Sequence, residues 1–93
     1  MDDIFAQIAA KIIEQQESII GPVAVEQAKQ VSKLKVDWPN HNVKISSDPQ
    51  GAIDSLVAQY KELFGQIAVE SCKEAAAQLL NQLKPEQFPS SLK

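Results

Sequence analysis

The chain contains no arginine. Its nine basic residues are all lysine, set against twelve acids for a net charge of −3. Arginine's planar fork is the usual clamp for carboxylate and phosphate groups, so its absence argues against a nucleotide site or specific DNA readout. There is one cysteine, Cys72, and one histidine, His41. A single cysteine cannot close an intrachain disulfide, which points to a reducing compartment. A zinc site draws on several cysteines and histidines, and neither residue has a further partner of its kind. No apolar run approaches the roughly eighteen residues needed to span a bilayer. Met1-Asp2-Asp3 lacks the basic-then-apolar opening of a signal peptide. The expectation is a cytoplasmic protein with no cofactor, no metal and no catalytic residue.

What is present is a repeated stretch. Residues 19 to 29 read Ile-Ile-Gly-Pro-Val-Ala-Val-Glu-Gln-Ala-Lys, and residues 63 to 73 read Leu-Phe-Gly-Gln-Ile-Ala-Val-Glu-Ser-Cys-Lys, each position 44 residues after its match. Gly21 aligns with Gly65, Ala24 with Ala68, Val25-Glu26 with Val69-Glu70, and Lys29 with Lys73. Internal repeats set the architecture and are sought first. In each copy an amphipathic stretch runs into two bulky apolar residues, then glycine, then a second amphipathic stretch. Glycine ends one helix by taking a left-handed conformation. Pro22 suits the first turn of the next, where its missing N–H costs nothing. Each copy, 8–31 and 52–75, is therefore expected to form a helical hairpin. Gln66 replaces proline in the second copy, so a weaker break is expected at Gly65.

Ninety-three residues with 44% hydrophobic content make one domain with a modest core. Asp2 or Asp3 can cap a first helix. Ile4, Phe5, Ile8, Ala9, Ile12, Ile13, Ile19 and Ile20 then recur at spacings of three and four, with Gln15 to Ser18 as a polar side or frayed end. A second, shorter helix follows Gly21 and ends near Ser32. The period next changes to two. Leu34, Val36 and Trp38 alternate with polar residues, as do Val43 and Ile45 beyond the turn-rich Pro39-Asn40-His41. This is the pattern of a β-hairpin. Asp48-Pro49 is a helix start, followed by a stripe from Ala52 to Phe64. After Gly65 a fourth helix runs to Leu83 and is stopped by Lys84-Pro85. The fold expected is α+β in the order ααββαα: two pseudo-repeated helical hairpins with a central two-stranded antiparallel β-hairpin. It occupies 1–84 as a single domain, with a flexible tail over 85–93 on which Phe88 and Leu92 could be tacked.

Few side chains suggest chemistry. His41 sits in the turn and Cys72 on a buried stripe, where a thiol is inert. The possible interaction surface comprises Lys33, Lys35, Trp38, His41 and Lys44 around the hairpin. The lysines offer a patch to an acidic partner, an anionic lipid headgroup or RNA, or simply a solvated strand face. Trp38 is an interface anchor or the plug between hairpin and helices. Glu26 and Glu70 support helix through Lys29 and Lys73.

Ile20-Gly21-Pro22-Val23-Ala24 resembles a short motif that opens small helical domains in bacterial, often cyanobacterial, signalling proteins. The resemblance implies a regulatory or scaffolding role and brings no catalytic residues with it. Together these readings lead to a small cytoplasmic non-enzymatic protein–protein interaction or regulatory module. A homodimer joined through the hairpin is one form it could take. The alternatives are a carrier of a small apolar ligand, with a cleft between the helical hairpins bordered by Ile12, Ile20, Phe64 and Leu80, and a weak nucleic-acid binder working through the lysine face.

Overall fold

The computed structural model describes residues 4–84 together with Glu86 and Leu92. The expected caps Asp2 and Asp3, the stop at Pro85 and the docking of Phe88 lie outside the described residues. The elements follow in the order α1 (Ile4–Ile20), α2 (Val23–Lys29), β1 (Leu34–Asp37), a 3-10 turn (Trp38–Asn40), β2 (Asn42–Ile45), α3 (Pro49–Phe64) and α4 (Gln66–Leu80). The class is α+β and the order ααββαα, with β1 and β2 forming a two-stranded antiparallel sheet. No described helix is long and apolar enough to cross a membrane.

The repeat reaches into the pattern of burial. α1 buries Ile8, Ala9, Ile12, Ile13 and Gln16. α3 buries Ala52, Ile53, Leu56, Val57 and Tyr60, at the same offset of 44 position by position. Ala24, Val25 and Ala28 of α2 match Ala68, Val69 and Cys72 of α4, and all six are buried. The glycine turns match in their hydrogen bonds as well. Gly21 N–H donates to the Glu17 carbonyl at 2.8 Å, and Gly65 N–H to the Lys61 carbonyl at 2.7 Å. Ala24 and Ala68 then donate back to the carbonyls of Gly21 and Gly65 at 3.0 and 3.1 Å.

The weaker break expected at Gly65 is not found. Gly65 has φ 78° and ψ −163°, a region that is essentially glycine's alone. α3 stops there and α4 starts at once, so backbone geometry breaks the chain without help from proline. Three other expectations change. Gln16 is not part of a frayed polar end but is buried in a helix that continues to Ile20. α2 ends at Lys29 rather than near Ser32, although Val31 remains buried beyond it. α4 ends at Leu80, short of Leu83, in a turn where Gln82 and Leu83 donate to the carbonyls of Leu79 and Leu80. In the expected tail, the Glu86 carbonyl accepts from Gln50 Nε2 at 3.0 Å and Leu92 is buried.

Asp48 caps α3 as its sequence suggests. Its carboxylate accepts from Gly51 N–H at 3.2 Å while Lys33 Nζ approaches to 3.0 Å. The Lys33 ammonium and, second, the Gly51 N–H hold the Asp48 carboxyl below its ordinary range. A Cβ on residue 51 would meet that carboxylate, so a side chain there would have to displace the Asp48 cap.

Candidate functional site

The hairpin registers Leu34 with Ile45, Lys35 with Lys44, Val36 with Val43 and Asp37 with Asn42. Leu34 and Val43 are buried and Val36 and Ile45 half-buried, while Lys35 and Lys44 face solvent opposite each other. The inward face of this small sheet packs on the helices, since an uncovered apolar hairpin is marginal in water. The five hairpin residues singled out in the sequence divide into two kinds. Lys33 is engaged with Asp48 at the start of α3. Trp38 is buried and donates its indole N–H to Glu17 Oε2 of α1 at 3.0 Å, so it plugs the hairpin against the helices. Only His41, Lys35 and Lys44 remain exposed.

His41 adopts the left-handed conformation, φ 50° and ψ 39°, and closes the 3-10 turn by donating its N–H to the Trp38 carbonyl. Its ring stacks over Trp38 with centroids 4.4 Å apart, and Nδ1 lies 3.5 Å from Glu14 Oε2. A hollow of about 200 Å³ lies on the hairpin's outer face, lined by Lys35, Val36, Asp37, Asn42 and Lys44. It is smaller than the roughly 300–1,000 Å³ of ordinary ligand sites. No cluster of three or more metal-ligating side chains occurs among the described residues.

Among the described residues, Gln16 and Tyr60 are buried side chains with polar groups, and they are repeat mates. Gln16 Nε2 donates to the Ala68 carbonyl at 3.4 Å and lies 3.6 Å from Cys72 Sγ. Tyr60 Oη donates to the Ala24 carbonyl at 2.6 Å. Each copy thus reaches the matched carbonyl of the other, the exchange an approximate two-fold axis produces. Among the described residues no buried side-chain nitrogen or oxygen lacks a partner. Burial pushes the Cys72 thiol up to about 12, with the Gln16 amide opposing weakly. Tyr60 is raised further, first by burial and then by Cys72 and Glu17. Both therefore stay protonated near neutral pH.

These cross-bonds tie the residue five before each glycine to the third residue after the other. Both glycine turns therefore lie at one end of the molecule. Among the described residues, the large apolar side chains left exposed gather there: Ile19 is 57% exposed, Val23 47%, Leu63 49%, Phe64 38% and Ile67 74%. Ile19 pairs with Leu63 and Val23 with Ile67 across the repeat. This end was not singled out in the sequence, because Ile19, Leu63 and Phe64 continue stripes that are buried one turn earlier. The signal was the pair of bulky residues before each glycine, just where the helix beneath them ends. Ile12 has no accessible surface, so it does not border the cleft expected between Ile12, Ile20, Phe64 and Leu80. The chain matches no family model, no curated protein and no solved structure.

Proposed function

We propose that this chain works by binding another protein rather than by catalysis, and that the end carrying the two glycine turns is its docking face. One observation carries this reading: the exposed apolar residues are paired across the repeat, Ile19 with Leu63 and Val23 with Ile67. Single exposed apolar residues are ordinary on soluble proteins, whereas a cluster of them marks an interaction site. The resemblance of Ile20-Gly21-Pro22-Val23-Ala24 to segments of bacterial signalling proteins supports a regulatory role. The lone buried thiol of Cys72 suits a reducing cytoplasm.

The test compares the tagged chain with a Leu63→Ser, Ile67→Ser variant in extract of the source cells. The variant is expected to melt at the same temperature and to lose the protein that the unmodified chain retains. Equal retention would overturn the assignment of this end.

A second reading has two hairpins joining edge to edge in a homodimer. It is favoured by the two-stranded sheet, whose outer edges have no neighbouring strand among the described residues. Lys35 and Lys44, facing each other on the exposed side, oppose it by repulsion. Sedimentation equilibrium that finds only a 10.2 kDa species at high concentration and high salt would eliminate it.

A further inference from the structure

We infer that the occupant of the apolar end is a basic amphipathic helix of a partner protein, an inference that rests on the docking reading above. The apolar side chains come from the last turns of α1 and α3 and the first turns of α2 and α4, so they form two short ridges either side of an approximate two-fold axis. An amphipathic helix laid across such ridges places its anchors at spacings of three, four and seven.

The charges around the patch select the sign of the partner. Glu26, Glu62 and Glu70 are exposed beside it, with Glu70 accepting from the Gln66 amide, and Lys61 is the exposed lysine among residues 17–26 and 61–70. Glu17, the remaining acid of those two stretches, is bound to Trp38. Lys29 and Lys73 stand about a turn farther along α2 and α4, away from the glycines. A lysine- or arginine-bearing helix meets complementary charge at this rim, which steers encounter and sets specificity.

A second copy of this chain fits less well. It would bring the same glutamates against each other, with Lys61 and its mate as the offset.

The experiment uses two fluorescein-labelled peptides of equal length with the same leucine face, one carrying lysine on its polar face and the other glutamate. Anisotropy is measured against the full chain. The lysine peptide is expected to bind at least tenfold more tightly than the glutamate peptide. Its affinity should fall at least tenfold in the Glu26→Gln, Glu62→Gln, Glu70→Gln variant, and again in the Leu63→Ser, Ile67→Ser variant. These are surface positions, and thermal melting verifies that both variants remain folded. Equal binding of the two peptides, lost in the serine variant, would overturn the basic helix but keep the docking face. Sedimentation showing a dimer abolished by the serine substitutions would likewise replace the helix by a second copy. Absence of both peptide binding and self-association would overturn the inference and the docking reading together.

Discussion

The hairpin and the glycine end use their residues in opposite senses. The hairpin turns its apolar side inward, hides Trp38 beneath His41, and leaves Lys35 and Lys44 in water. The glycine end turns polar groups inward, where Gln16 and Tyr60 hold the two copies together, and leaves Ile19, Val23, Leu63, Phe64 and Ile67 outside. The hairpin's side chains are accounted for by its own stability. The apolar residues at the glycine end are not, since exposed apolar surface contributes nothing to folding. A surface that the fold itself does not use is where binding is to be sought.

The largest effect that would break this comparison is expected at Trp38. Trp38→Ala removes a buried indole and leaves Glu17 without its donor, at a cost of about 3–5 kcal/mol. That is a large share of the roughly 5–15 kcal/mol that holds a domain together. Urea denaturation measures it, and a loss under about 1 kcal/mol would remove the hairpin's structural role.

Next in size is the glycine pair. Gly65→Ala is expected to cost about 1–3 kcal/mol from backbone strain, because space for the added methyl is open. Gly21→Ala shares the positive φ of 79° and is expected to be destabilising as well, at about 1–2 kcal/mol. A neutral Gly65→Ala in thermal melts would mean that α3 and α4 can run on as one helix.

Tyr60→Phe comes third. It removes the hydroxyl bond to the Ala24 carbonyl, which keeps its place in the α2 ladder, at about 1 kcal/mol. Gln16→Met should cost less, since the Gln16 bonds are longer at 3.4 and 3.6 Å. If the two costs proved reversed in parallel denaturation curves, the cross-bonding between copies would be misjudged.

The last effect is one of pH and is absent at neutrality. Folding raises Cys72 from 9.0 to about 12 and raises Tyr60 above its ordinary 10.0. The unfolded chain therefore releases these protons first. The stability tied to the protonated groups is complete below about pH 9 and is lost as pH rises toward 12. Denaturation midpoints should fall across this window. Cys72→Ala should flatten the early part of the fall, and an unchanged profile would refute the assignment.

Much of this architecture was legible in the residues. The shift from period 3.6 to period 2 at Leu34 located the hairpin, and Asp48-Pro49 located the start of α3. The glycine positions located both helix breaks. The strength of the second break was misread because Gln66 permits helix, whereas Gly65 itself takes a conformation closed to other residues. Gln16 was misread because a glutamine among Gln15, Glu17 and Ser18 looks solvated. Its burial follows only from its alignment with Tyr60 across the repeat. The candidate surface was the least legible part. Periodicity places Ile19, Leu63 and Phe64 on the same faces as the core, but it does not say where the opposing helices stop covering them.

The most direct test is a set of 15N–1H correlation spectra of the full chain titrated with the lysine-bearing amphipathic peptide. Binding at the glycine end predicts shifts confined to residues 17–26 and 61–70, with Lys35, Val36, Val43 and Lys44 unmoved. Shifts centred on the hairpin, or no shifts at saturating peptide, would contradict it.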